Sequence, residues 1–328
     1  FVYSQVLLAC VRLKLFDILA EGPQTPETLA HRTSLQPEAM ERLLSAAVAL
    51  RLVQRRSGQR YGLGDLGAAM VGNAAVAAMV DHHAALYADL ADPVALLRKR
   101  GHSQQLAAYW PYANDAQDAV PERVAPYTAL MAASQPLVAD EVLDAYPLGR
   151  HHCLLDVGGG DGTFLRRAAQ RAPHLKLVLF DLPAVAASAR QQFEQGSLRH
   201  RATAVGGSFL TDDLPAGADL ATVIRVIHDH DDAAALQILR AIHKALVPGG
   251  AIVLAEPMAR TPGAQAMGDA YFGFYLLAMG SGKPRTRDEL QAMLQAAGFG
   301  SVRTVATRMP LQTSLMVALK AVGNPSSH

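Results

Sequence analysis

The sequence predicts an α/β protein: a doubly wound, mostly parallel sheet with an antiparallel edge hairpin, preceded by a helical domain in winged-helix order. Three observations carry that prediction. After Gly149, apolar runs of strand length alternate with helical stretches. Before residue 73 the chain reads helix, helix, helix, hairpin. A glycine-rich loop stands where the first strand of the alternation should turn into its first helix.

From Val2 to Leu19 the apolar residues Val6, Leu7, Val11, Leu15 and Leu19 recur at helical spacing, and Glu21-Gly22-Pro23 stops the helix. Thr25-Pro26-Glu27 supplies an N-cap, a first-turn proline and an acidic first turn, opening a helix to about Thr33. Gln36-Pro37-Glu38 opens another to about Arg51, with Leu43, Leu44, Ala47 and Leu50 on one face. The polar stretch Gln54 to Arg60, with Ser57-Gly58 at its tip, joins two short β-like pieces into a hairpin. From Ala74 to about Tyr146 the pattern is helical, cut by Pro93, Pro111, Pro121, Pro126 and Pro136, which should kink or separate the helices.

Beyond Gly149 the strand-like runs are Leu154 to Val157, Leu175 to Asp181, Arg201 to Phe209, Leu220 to Ile227, Ala251 to Glu256, Ser301 to Thr307 and Ser314 to Leu319. Helical stretches separate the first five, so they should lie parallel, with the ligand site outside their carboxyl ends. Only Arg308 to Thr313 separates the last two, which predicts the antiparallel hairpin. The expected division is a winged-helix-like domain at 1–73, a helical linker at 74–149, an α/β domain at 150–321 and a frayed tail at 322–328.

Composition narrows the function classes. The chain has 328 residues, of which 50% are hydrophobic and 18% charged, too apolar and too weakly charged for disorder. Lys+Arg 30 against Asp+Glu 29 leaves a net charge of +1, so no global field favours nucleic acid or an acidic membrane face. Cys10 and Cys153 form no metal or redox spacing, which fits a reducing compartment and makes the cytoplasm the expected location. No secretory pattern and no uncharged apolar run of about 18 residues predicts secretion or a membrane span. Because the chain opens at Phe1 without Met, a preceding segment is left open.

The loop Asp156-Val157-Gly158-Gly159-Gly160-Asp161-Gly162 points to a nucleotide-like ligand. A dinucleotide fingerprint built on Gly158 and Gly160 needs a third glycine where Thr163 stands, which disfavours NAD. No G-K-[ST] follows, so a triphosphate would lack its lysine. The remaining pattern, D-x-G-x-G-x-G, resembles motif I of class I S-adenosylmethionine methyltransferases, in which backbone passes close to the methionine part of the cofactor. The next strand ends in Phe180-Asp181-Leu182-Pro183, with an acid 25 residues beyond Asp156. There a carboxylate can accept from both ribose hydroxyls; the plainer reading is a strand-end cap of the next helix.

The fourth strand ends at His228-Asp229-His230-Asp231-Asp232 and the fifth at Glu256-Pro257, opening on the same edge as the glycine loop. His228 is the natural general base for a hydroxyl that loses its proton while attacking a methyl group. Glu256 is placed to accept from the other ring nitrogen and fix the tautomer. A strand-end histidine alone is more often structural, and the accompanying motifs favour catalysis.

These motifs together resemble the plant-type O-methyltransferase family, with acetylserotonin-type and caffeate-type relatives, from Tyr3 to Ala318. The resemblance implies a dimerising winged-helix-like domain, a pocket-lining helical linker and a Rossmann-like methyltransferase domain. It also implies S-adenosylmethionine as cofactor, no metal, and His228 and Glu256 as the catalytic histidine and the nearby acid. Asp156, Gly158, Gly160, Asp181, Leu182, Ser208, Phe209 and Arg225 form the implied cofactor set. Tyr127, Met131 and Ser134 are similar to the family's linker motif that lines the pocket. Three departures stand out: His230 replaces the motif's tryptophan, Ser208 replaces the usual acid of G-D-F, and Pro284 replaces a second glutamate in G-K-E-R-T. Orientation of the base therefore falls to Glu256 alone or to Asp229.

The stretch from Asp269 to Arg285 is rich in aromatics for a chain that is 6% aromatic. At helical spacing Tyr271, Phe274 and Tyr275 share one face and Phe272, Leu276 and Met279 the next. Tyr275 and Met279 fall where family members line the acceptor pocket, and Phe272 is a further candidate substrate contact, although core packing explains such a stripe equally well. The wording of this stretch is similar to bacterial carotenoid O-methyltransferases acting on a tertiary hydroxyl of hydroxyneurosporene or demethylspheroidene type. A small phenol or aromatic polyketide is the alternative acceptor, and decarboxylation or hydroxylation the alternative chemistry. The expected partners are an apolar small molecule and a second copy bound through the amino-terminal domain, with peripheral membrane contact compatible and nucleic acid excluded. A DNA-binding wing built on Arg51, Arg55, Arg56 and Arg60 is opposed by the net charge and by Glu27, Glu38 and Glu41. His82-His83 and His151-His152 read as surface or linker residues, because consecutive residues do not face one way on a helix.

Overall fold

The computed structural model describes residues 1–98, 105–109 and 121–322, without the side chains of 108, 109, 121–129 and 133. Pro111, the Tyr127 side chain and the tail beyond Val322 lie outside the described residues. The chain forms two compact units, Phe1–Tyr87 and Ala88–His328.

The first unit holds α1 (Val2–Arg12), α2 (Leu15–Ala20), α3 (Pro26–Thr33), α4 (Pro37–Ala49), the hairpin β1 (Val53–Arg56) and β2 (Arg60–Leu63), α5 (Asp65–Ala68) and most of α6 (Ala74–Asp89). The single helix expected from Val2 to Leu19 is broken. Lys14 takes a left-handed conformation (φ +53°), which redirects the chain so that Leu15, Phe16 and Leu19 join Cys10, Leu29, Met40 and Leu44 in the core. Thr25 caps α3 as its sequence dictates, its Oγ1 accepting from Thr28 N–H at 3.3 Å.

In the second unit α7 (Pro93–Leu97), α8 (Gln105–Tyr109) and α9 (Pro121–Ala145) precede the sheet. Of the two outcomes expected at Pro126 and Pro136, a kink or a separation, the chain is not separated there: α9 runs through both. Each removes one hydrogen bond, while burial of Val138, Ala139, Val142 and Leu143 anchors the helix on the sheet. The sheet comprises β3 (Cys153–Val157), β4 (Lys176–Asp181), β5 (Ala202–Gly206), β6 (Ala218–Ile224), β7 (Leu246–Glu256), β8 (Phe299–Val305) and β9 (Ser314–Lys320), in the order β5-β4-β3-β6-β7-β9-β8. The first five strands in that order are parallel; β9 runs antiparallel to both β7 and β8.

Both sheet faces are covered, so successive strand residues bury on opposite sides. Leu154 packs with Phe164 and Leu165 of α10 (Thr163–Arg171) and Phe193 of α11 (Pro183–Gln195). Leu155 packs on the other face with Ile238 and Leu239 of α12 (Asp232–Ala245) and Leu290 of α14 (Arg287–Ala296). The strand order reverses between β3 and β6, the switch point at which such sheets open a crevice.

His151, expected at the surface, is buried at the opposite end of β3. Its ring bridges Tyr146 Oη at 3.0 Å and Asp219 Oδ2 at 3.3 Å, because the tyrosine hydroxyl needs a polar partner where α9 packs down. His152 is the exposed member of the pair.

Candidate active site

β3 ends at Val157, and the chain turns through Gly158, Gly160 and Gly162, all with positive φ (+71°, +60° and +80°). A Cβ at Gly158 would lie 2.7 Å from Val226 Cγ2, and one at Gly162 would lie 2.6 Å from the Phe193 ring. Side chains are excluded there, which lets the loop press against the end of β6. A Cβ at Gly160 would meet nothing within 4 Å. Its N–H donates to Asp181 Oδ2 at 2.8 Å, and Leu182 N–H donates to Oδ1 at 2.7 Å. Asp181 thereby ties the glycine loop to the end of β4.

Asp156 is buried. Its Oδ1 accepts from Thr222 Oγ1 at 2.6 Å, whereas Oδ2 has no hydrogen-bond partner among the described residues. Burial pushes its carboxyl up to about 7, against the Thr222 hydrogen bond and with the Asp181 charge adding to the rise.

The space between these strand ends is an open cleft of about 640 Å³ counted to its mouth. Of the expected residues, Met131, Gly158, Gly160, Phe209, Arg225 and Asp229 line it. Arg225 adopts φ +55° at the end of β6. Its guanidinium donates to Ser134 Oγ at 3.0 Å and Gln135 Oε1 at 2.5 Å on α9. Ser208 is not among the lining residues; its N–H donates to Asp212 Oδ2 at 2.8 Å. Sequence reasoning missed Gln135, Asp161 and His230 as lining residues. His230 was visible as the departure from the motif's tryptophan; it meets Phe209 edge-to-face at 5.3 Å.

His228 sits on a single tight helical turn, Ile227–Asp229, after β6. The residue is 4% exposed, and its ring lies against Phe272 at 5.6 Å between centroids. Its Nε2 is 3.3 Å from Asp229 Oδ1, while Nδ1 has no partner among the described residues. Burial lowers the imidazole to about 3, reinforced by the charges of Arg225, Arg285 and His230. It is therefore a neutral acceptor at ordinary pH.

Glu256 corrects the expectation. Its Oε2 accepts from the main-chain N–H of His228 at 3.1 Å, not from the ring, and Oε1 is buried without a partner among the described residues. From the end of β7 the glutamate lies under the turn, where free amides satisfy it first. The carboxyl beside the ring is Asp229. Burial raises both acids, Glu256 to about 7 and Asp229 well above its ordinary value, and the Glu256 charge raises Asp229 further.

The aromatic segment forms a π-helical stretch, Ala266–Tyr271, followed by α13 (Phe272–Met279). Tyr275 and Met279 are buried, Phe272 is half-buried and Phe274 is exposed. Among these, Phe272 reaches the imidazole; Tyr275 and Met279 are not among the described residues lining the cleft.

A family described as an O-methyltransferase domain matches residues 87–300, and one described as an O-methyltransferase dimerisation domain matches residues 1–73. The chain belongs to the O-methyltransferase family. Demethylspheroidene O-methyltransferase of Cereibacter sphaeroides is 40% identical over 327 residues, spanning 99% of this chain and 86% of that protein. The protein of the same description from Rhodobacter capsulatus is 41% identical over 322 residues, spanning 97% and 79%. Acetylserotonin O-methyltransferase of Mus musculus is 31% identical over 333 residues, spanning 94% and 84%. Human N-acetylserotonin methyltransferase, solved in complex with SAM, superposes with a TM-score of 0.80 at 26% identity, covering 97% of this chain and 94% of that one.

This O-methyltransferase has the class I fold and uses S-adenosylmethionine. Its cleft fits that cofactor: the glycine loop leaves open space at Gly160, and the Phe209–His230 pair, both lining the cleft, offers an aromatic wall. No helix among the described residues is long and apolar enough to cross a membrane.

Proposed function

We propose that the chain methylates the tertiary hydroxyl of a demethylspheroidene-type carotenoid, with His228 as general base and Asp229 as the group that orients it. The observation that carries the base assignment is a neutral imidazole on a tight turn whose next two residues, Asp229 and His230, line the cofactor cleft. The 40% identity to demethylspheroidene O-methyltransferase over nearly the whole chain supports the acceptor class.

The cofactor would lie between the glycine loop and Arg225, with Asp181 toward its ribose, Asp156, Leu182 and Ser208 shaping that wall, and Phe209 and His230 beside its base. When bound, it supplies an electrophilic methyl on a sulfonium. A neutral ring nitrogen of His228 takes the proton, with Asp229 Oδ1 standing 3.3 Å from Nε2 to steady the ring. A tertiary alcohol is far less acidic than a phenol, and an imidazole held near 3 is too weak a base to ionise it beforehand. Proton transfer therefore accompanies carbon–oxygen bond formation. As the oxygen gains positive charge its proton becomes strongly acidic, and the weak, neutral imidazole suffices to take it. Most of the acceleration comes from holding oxygen and methyl about 3–3.5 Å apart in a dry site, worth ~7–11 kcal/mol. Phe272 helps exclude water from the imidazole, and Met131, Tyr275 and Met279 are assigned to the acceptor side of the site.

The active form is a homodimer built on residues 1–73, which match the dimerisation family. The unpaired Cys10 and Cys153 suit the cytoplasm, with the enzyme touching the membrane that holds its substrate. Incubation with labelled S-adenosylmethionine and two acceptor panels, hydroxylated carotenoids and small phenols, tests the acceptor. The expected product is a carotenoid methyl ether; label confined to phenols would replace the carotenoid reading.

A further inference from the structure

Four consecutive main-chain carbonyls around His228 are capped by one short strap, residues Ser281 to Arg285. Arg285 Nη1 donates to Ile227 O at 2.8 Å and Nη2 to His230 O at 2.7 Å. Between them, Lys283 N–H donates to His228 O at 2.9 Å and Ser281 Oγ donates to Asp229 O at 3.0 Å. Arg285 Nε donates to Asp232 Oδ1 at 2.9 Å, at the start of α12. Gly282 has φ +78°, and a Cβ there would sit 2.1 Å from His228 O, so only glycine permits this approach.

Arg285 is 0% exposed. Burying a guanidinium is costly unless its donors are satisfied, and an apolar side chain fills such a volume more cheaply. Here the donors are spent on the turn that bears the imidazole. That turn has three residues and little of its own to hold it: His230 N–H donates back to Ile227 O at 3.3 Å. Glu256 fixes its amide side, and the strap fixes its carbonyl side.

We propose that Arg285 is a positioning residue for methyl transfer, holding through Ile227 and His230 the turn from which His228 reaches the acceptor. The proposal rests on the reading of His228 as the base. Facing the imidazole are Arg225 from the end of β6, Glu256 from the end of β7, Asp229 and His230 within the turn, and Arg285 from the strap; Phe272 covers it from α13. Loss of Arg285 removes one of the cationic charges that disfavour the imidazolium, so its titration moves to higher pH.

The test compares the full chain with its Arg285→Lys and Arg285→Met variants. Cofactor Kd is measured by calorimetry, kcat and KM with S-adenosylmethionine and a hydroxylated carotenoid, and the His228 imidazole titration by NMR. Arg285→Met should lower kcat about 100-fold, leave cofactor Kd within about threefold and raise the imidazole titration. Arg285→Lys keeps the charge without the fork, so the titration should stay near that of the parent while kcat falls about tenfold. Should the Met variant fail to fold, the Lys variant carries the test by its kcat. Unchanged kcat in both folded variants overturns the proposal, as does a loss of cofactor affinity equal to the loss of kcat. Full transfer by His228→Ala refutes the base reading and the proposal with it, whereas lost transfer by His228→Ala beside unchanged kcat in both Arg285 variants overturns only the positioning role of Arg285.

Discussion

Asp156 keeps one carboxyl oxygen on Thr222 and leaves the other buried without a partner among the described residues. Its folded value of about 7 lies above the ~3.9 of an unfolded aspartate. Between those values the folded chain holds a proton that the unfolded chain has released, so this group lowers stability as pH rises from about 4 to 7. His228 has the opposite sign: held at about 3, below the ~6.5 of an unfolded histidine, it lowers stability as pH falls through that window. Asp156→Asn preserves the acceptor for Thr222 and removes the first dependence. Urea midpoints at pH 5 and pH 8 should show the variant gaining on the parent at the higher pH; a gap independent of pH would contradict a buried, protonated carboxyl.

The glycine loop shows the same logic at the level of an element, where close approach dictates residue type. Gly158→Ala places a Cβ 2.7 Å from Val226 Cγ2 at a φ of +71°, and left-handed backbone alone costs an alanine about 1–2 kcal/mol. The loop must shift, and calorimetric titration should show S-adenosylmethionine affinity reduced by about tenfold or more, the equivalent of ~1.4 kcal/mol. The loop, the alternating elements and the strand-end acid were legible in the sequence because glycine spacing and apolar runs encode backbone geometry directly. Main-chain partners are harder to read. Glu256 binds the amide of His228, and Arg285 binds the carbonyls of Ile227 and His230, and every residue type offers those groups. The break at Lys14 and the buried His151 escaped for a related reason: packing of Leu15 and Phe16, and of Tyr146, overrode the local pattern.

At the scale of the whole molecule, the match of residues 1–73 to a dimerisation domain predicts a species of twice the 34.9 kDa chain mass in sedimentation at micromolar concentration; a monomer there contradicts the assembly. The proposed reaction centres on an imidazole that takes a proton as a methyl arrives. Its most direct test is transfer of labelled methyl from S-adenosylmethionine to a hydroxylated carotenoid by the parent and by His228→Ala, with cofactor Kd measured on both. The prediction is a kcat lower by about 10²–10⁴ with cofactor Kd nearly unchanged. A variant that keeps the parental kcat would contradict it.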